Sequence, residues 1–287
     1  MNAIVVGGTG TVGSQVVDEL LRRDVNVTVM THLKNKISTV PIGAIGVYGD
    51  LNMPDTLLDA FEGHDCMFLV TPTTKNEIEQ GKAAIDAAQR AEIRQITYLS
   101  VHNVEQCQDI PHFKTKITIE KALKNSGITF TILRANHLFQ NDLSLKDMIL
   151  QKNEYTQPLG NIGLNLVDVR DIADAAANSF LEKGHANKIY PLVGPNSLTG
   201  ETIGKIYSRY TGHEVRYTGN NLNDWAETTK QVMPSDVVKN LTKMYKHYQT
   251  EGLLATSKDM EMERQILGHE PRTFDSFVSE MMTPLHT

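Results

Sequence analysis

Apolar residues along the first half of the chain fall into two alternating rhythms. Ala3–Val6 is a short, continuous, largely β-branched run closed by glycine, which is how a strand buried on both faces reads. Ser14–Arg23 instead spaces its apolar residues for a helix, with Val16, Val17, Leu20 and Leu21 on one side. The same reading predicts strands at Val25–Met30, Ile45–Tyr48, Asp65–Val70, Gln95–Leu99 and Thr129–Leu133. Helices are expected at Pro54–Phe61, at Asn76–Ala91 with a stripe of Ile78, Ala84, Ile85 and Ala88, and at Phe113–Ser126, closed by Gly127. Strand and helix in alternation imply the α/β class: a doubly wound parallel sheet with helices on both faces and right-handed crossovers.

Past Arg134 the rhythm loosens. Leu164–Val167 and Lys188–Val193 read as strands, with a helix at Ile172–Leu181 between them. From Ser197 onward the pattern is mostly helical: Gly200–Tyr210, Asn223–Val232, Ser235–Tyr248 and Phe274–Met282. No Gly/Ser-rich linker or internal repeat divides the chain. The expected organisation is a sheet domain over residues 1–134 and a smaller, mostly helical C-terminal lobe over 135–287. Residues 164–193 are expected to contribute back to the sheet, leaving a cleft between the two parts.

The 287 residues carry a formal net charge of -6 with acids and bases interspersed, which argues against a nucleic-acid surface. Two cysteines, Cys66 and Cys107, lie far apart without CxxC spacing. A reducing, cytoplasmic setting is therefore expected rather than a disulfide framework. The N-terminus lacks a basic segment followed by a long apolar run, and no stretch approaches the ~18 apolar residues of a membrane span, so no membrane partner is expected. HExxH and GxSxG are absent, and no His/Cys/carboxylate cluster has metal-ligand spacing.

The chemistry-bearing segment is Gly7-Gly8-Thr9-Gly10-Thr11-Val12-Gly13, which follows the first strand and opens the first helix. Glycine permits the tight turn, and missing side chains let backbone N–H groups approach a pyrophosphate at the helix N-terminus. In that context the loop reads as the fingerprint of a Rossmann domain, with Gly7, Thr9, Gly10, Thr11, Val12 and Gly13 against the cofactor; otherwise it is only a turn. NAD sites usually end the second strand in an acid that bonds the ribose 2′-OH. Here Thr31, Lys34 and Lys36 occupy that region with no acid among them. This favours NADP, with NAD as the other candidate, unless the lysines simply face water. Asp50, after the third strand, either approaches the adenine edge or caps the short helix that follows.

Several segments together resemble the NmrA-like family of atypical short-chain dehydrogenases/reductases. They are Val6–Gly13, Gly49-Asp50-Leu51, Phe68–Pro72, Thr97–Ser100, His112–Lys116 with Glu120, Ser126–Arg134, Val167–Ala173 and Tyr190–Pro195. The match weakens after Tyr217. The resemblance implies a Rossmann domain, NAD(P) binding and a small substrate lobe. It leaves two outcomes open: an NADPH-dependent reductase of small quinone-like or carbonyl substrates, or a non-catalytic NADP(H) sensor acting through a protein partner. A sugar-nucleotide epimerase is a third, weaker reading.

The superfamily works with Tyr-x-x-x-Lys, in which the tyrosine donates a proton and the lysine holds the nicotinamide ribose. By likeness Lys116 matches the lysine, and His112 stands at the tyrosine position. Spacing of four places both on one helical face. His112 is either a proton donor with a pKa near ~6.5 or a surface histidine near a helix start. Lys116 is either the cofactor anchor or a solvated helix lysine. Thr71 and Pro72 follow the fourth strand at the sheet's carboxyl edge and are expected to flank the ribose or nicotinamide. Ser100 loosely matches the superfamily's catalytic serine, or is a hydrogen-bonded serine at a strand end. Asn136 and His137, just past the sixth strand, are placed to face the cleft with no role fixed. Trp225, Tyr245 and Tyr248 read as lobe packing.

Overall fold

The computed structural model describes residues 1–283, so the last four residues of the expected 135–287 lobe lie outside it. In chain order the first half comprises β1 (Asn2–Val6), α1 (Thr11–Arg22), β2 (Asn26–Thr31), β3 (Ala44–Tyr48), α2 (Leu57–Phe61), β4 (Cys66–Leu69), α3 (Glu77–Arg90), β5 (Gln95–Val101), α4 (Pro111–Asn125) and β6 (Thr129–Ala135). The second half adds β7 (Glu154–Tyr155), β8 (Leu164–Asn165), α5 (Val169–Leu181), β9 (Lys188–Leu192), β10 (Ser197–Leu198), α6 (Gly200–Thr211), β11 (Arg216–Tyr217), α7 (Leu222–Thr229), α8 (Ser235–Thr250), α9 (Ser257–Leu267) and α10 (Phe274–Met282).

Seven parallel strands form the main sheet in the order β3-β2-β1-β4-β5-β6-β9. Period-2 alternation divides each strand between two cores. Ala3 and Val5 of β1 face a cluster with α1, α5 and α9, whereas Ile4 and Val6 face one with α2, α3 and α4. Val16, Val17 and Leu20 of α1 are fully buried, each contributing about 1.5–3 kcal/mol. Strand order reverses between β1 and β4, and ligands of open α/β sheets bind at that switch point, beyond the carboxyl ends of the strands.

The remaining elements build the lobe around an aromatic core of Phe139, Tyr155, Tyr207, Tyr245, Tyr248, Phe274 and Phe277. Two short pairings, β7 with β11 and β8 with β10, brace it. At its centre Asp142 accepts the Tyr155 and Tyr207 hydroxyls at 3.1 and 2.9 Å. Burial nevertheless pushes the Asp142 carboxyl up to about 7. One helix departs from the expected pattern: α9 returns from the lobe to pack on β9 and α5.

Candidate functional site

The glycine loop sits at the switch point. Gly7 has φ +81°, a conformation that favours glycine. Its carbonyl accepts from Gly10 N–H at 3.0 Å. A Cβ on Gly13 would lie 2.1 Å from that same carbonyl oxygen, so the first turn of α1 presses on the loop as only glycine allows. Gly8 faces inward, where a Cβ would stand 2.9 Å from Val29. Gly10 differs: its nearest neighbour would be ordinary contact at 3.4 Å, and the residue is exposed with Thr9 and Thr11. Helix α1 starts with no side-chain cap and no acid in its first turn. The leading N–H groups at Thr11, Val12 and Gly13 and the positive end of the helix dipole therefore favour an anion.

Beyond β2, Thr31 is buried and its Oγ1 accepts from Leu33 N–H at 3.2 Å, shaping the turn. Lys34 and Lys36 ride on an exposed 3₁₀ turn, Lys34–Thr39. The Lys34 ammonium stands 4.8 Å from the centroid of the Tyr48 ring, so it is not simply solvated. Asp50 does not cap the helix that follows it. Its Oδ1 accepts from Asn52 N–H at 2.8 Å, and the capping position of the next turn, Pro54–Thr56, is Met53.

At the carboxyl edge of β4 and β5 a buried ionic cluster gathers around Lys116. Its Nζ lies 2.8 Å from Glu77 Oε1 and donates to Thr71 Oγ1 at 3.0 Å; Thr71 in turn donates to Glu77 Oε1 at 2.7 Å. The ammonium also stands 5.5 Å from the Tyr98 ring centroid. With 5% exposure, Lys116 is not a solvated helix lysine. Burial works against its charge, but the Tyr98 and Glu77 side chains more than offset this and hold its pKa above the usual range.

His112 lies half-buried at the cleft rather than on the open surface. Burial, assisted by the Lys116 charge, lowers its pKa to about 3. Its Nδ1 stands 4.0 Å from Glu77 Oε2, too far for a hydrogen bond, and has no hydrogen-bond partner among the described residues. Ser100 donates to Glu120 Oε1 at 2.7 Å and also lines the same cleft. Glu120 is also held by Arg134 at 2.7 Å and Lys124 at 3.2 Å. Thr71 is buried, whereas Pro72 is exposed beside it.

Thr11, Val12, Thr71, Ser100, His112 and Lys116 line one wall of a cleft of about 890 Å³. The lobe adds Leu145, Trp225, Met244, Tyr245 and Tyr248 to the lining, and Phe113 of α4 joins them. Trp225 meets Tyr245 edge-on, with ring centroids 4.8 Å apart. The packing role expected for Trp225, Tyr245 and Tyr248 is thus joined by exposure of the same rings to the cleft. Asn136 and His137 also reach it. Burial lowers His137 to about 4, and its Nε2 lies 3.2 Å from Asn141 Nδ2. Glu77 escapes sequence reasoning, because an acid in the first turn of a helix is commonplace and only the fold brings it to Lys116.

The comparisons agree with this architecture. An NAD(P)H azoreductase of Xenophilus azovorans is 27% identical over 278 residues, 96% of each chain. A crystal structure of an NADPH-dependent quinone oxidoreductase of Escherichia coli in complex with NADPH superposes with a TM-score of 0.86 at 24% identity, covering 99% of this chain and 100% of that one. The triphenylmethane reductase of Citrobacter sp. complexed with NADP(H) gives 0.85 at 22% identity, covering 98% and 99%. The family model described as the NmrA-like family matches residues 2–278, and the chain belongs to that family.

Proposed function

We propose that the protein is an NADPH-dependent reductase of a small, flat electrophile such as a quinone or an azo compound. The observation that carries the reading is the placement of Lys116. Its buried ammonium stands at the carboxyl edge of the sheet, in a cleft that begins at the uncapped N-terminus of α1 and ends against an aromatic wall. The α1 N–H groups and the open position at Gly10 suit a pyrophosphate. Lys34 and Lys36, with no acid beside them, suit a 2′-phosphate. Lys116 and Thr71 are the groups that would hold and orient the nicotinamide ribose. When bound, the nicotinamide supplies the hydride. Trp225, Tyr245, Tyr248 and Phe113 offer the acceptor apolar surface and exclude water from the transfer. A quinone-like acceptor needs little acid help, since its reduced form is delocalised, which matches a His112 that stays neutral. The names of the reductases to which the chain is similar support the same chemistry.

The test is NADPH oxidation, followed at its absorbance, over a panel of quinones, azo dyes and simple ketones, alongside calorimetric titration with NADPH and NADH. Turnover of quinones or azo compounds with tighter NADPH than NADH binding is expected. Tight NADPH binding with no acceptor turned over would replace the reductase by the sensor reading.

A further inference from the structure

Glu77 lines no part of the cleft, yet it holds the one ammonium that the reductase reading places beside the nicotinamide. Its carboxylate is 2% exposed at the first position of α3, where the helix dipole favours an anion. One oxygen takes both the Lys116 ammonium and the Thr71 hydroxyl. The other faces the neutral imidazole of His112, at 4.0 Å from Nδ1. The cluster therefore pairs one ammonium with one carboxylate, with the Tyr98 ring and His112 as its neighbours.

That balance bears on the two redox forms of the cofactor. The dihydronicotinamide ring is neutral and the oxidised ring is cationic. A lone buried ammonium beside the ring would oppose the cationic form, and burial would leave the repulsion weakly screened. We infer that Glu77 is a charge-compensating positioning residue: it fixes Lys116 in place and cancels its charge, so that the site accepts the oxidised cofactor nearly as well as the reduced one. A reductase whose ammonium was uncompensated would resist the build-up of positive charge on the ring as hydride leaves. The inference rests on the cofactor reading above.

The experiment measures Kd for NADPH and for NADP⁺ by calorimetry in the wild type, Glu77→Gln, Lys116→Met and the double variant, with circular dichroism to verify folding. Titrations are run at pH 6 and at pH 9. Glu77→Gln should raise the ratio Kd(NADP⁺)/Kd(NADPH) by about tenfold at pH 6. Lys116→Met should weaken both forms through the lost ribose contact but lower the ratio at pH 9. The double variant should return the ratio close to that of the wild type. A purely structural role would change the absolute affinities and leave the ratio unmoved in every variant, and that result overturns the inference. If Glu77→Gln does not fold, Lys116→Met against the double variant still tests the sign. Wild-type protein that binds neither dinucleotide overturns the cofactor reading and this inference together, whereas tight binding with an unmoved ratio overturns this inference alone.

Discussion

His112 shows how far a single side chain can depart from what its neighbours in sequence suggest. It stands four residues before Lys116 on α4, and the family resemblance places it at the proton-donor position. In the fold it is half-buried beside an ammonium, and desolvation and the Lys116 charge both disfavour the imidazolium. Because the folded pKa of about 3 lies below the usual 6.5, protonation opposes the native state. Stability owed to neutral His112 is complete above pH 6.5 and is lost as pH falls through that value toward 3. At neutral pH the residue is uncharged and no proton leaves an imidazolium. His112→Gln should therefore change quinone turnover by far less than the ~10²–10⁴-fold that a general acid supplies. The pH–rate profiles of variant and wild type should superimpose between pH 6 and 8. An inflection near pH 6.5 present only in the wild type would show that the imidazole titrates there after all. Lys116 was legible from spacing and resemblance; its partner Glu77 was not, because the two are 39 positions apart and meet only when α3 packs against α4.

Among the elements, the β1–loop–α1 unit was the most legible, since it is local: strand, turn and helix are contiguous and every glycine can be counted. What the sequence could not separate is what each glycine is for. Gly13 is required by the fold, because any Cβ there meets the Gly7 carbonyl. Gly10 has room for a Cβ and is exposed, so packing does not require its glycine. The two positions should therefore fail differently. Gly13→Ala should destabilise the protein by about 1–3 kcal/mol, seen as a lowered midpoint of chemical denaturation. Gly10→Val should leave that midpoint nearly unchanged and abolish NADPH binding, measured by cofactor fluorescence. Retained binding in Gly10→Val would mean that the loop is only a connection between strand and helix. Helix α9 lies at the other extreme. Its buried face carries Glu263 beside Ile266 and Leu267, so the apolar period that would announce a core helix is broken by an acid. That acid is used: Glu263 Oε1 accepts the backbone N–H groups of Val193 and Gly194 at 2.9 and 3.2 Å, and its carboxyl is pushed up to about 7, chiefly by burial. No periodicity argument could have found it.

For the whole molecule, the chain passes between its two parts more than once, and this decides what can fold alone. Residues 1–134 contain six of the seven main strands, apart from the last residue of β6, and by pattern look like a domain. Yet α1 packs against α5, and β6 pairs over Thr131–Ala135 with β9, both supplied by later sequence. Then α9 closes over β9 and α5, with Asn178 Nδ2 donating to the Ile266 carbonyl at 2.7 Å and Arg272 bonding Asp171 and Asp174. Removing residues 135–287 would expose one side of Val16, Val17 and Leu20 and leave β6 as a bare edge. Full exposure would cost about 1.5–3 kcal/mol for each large aliphatic side chain, so even partial exposure of three is a sizeable share of the 5–15 kcal/mol stability of a typical domain. The fragment 1–134 is therefore expected to lack a cooperative thermal transition by circular dichroism and to bind a hydrophobic dye. The intact chain should instead unfold in one step by both tryptophan fluorescence, which reports Trp225 in the lobe, and far-ultraviolet dichroism, which is dominated by helices of both parts. Coincident transitions would mean that sheet and lobe are one cooperative unit, held together by α5, β9 and α9. A fragment that melts cooperatively, or an intact chain whose lobe signal is lost first, would show that the glycine-loop half is self-sufficient and that the later elements only attach to it.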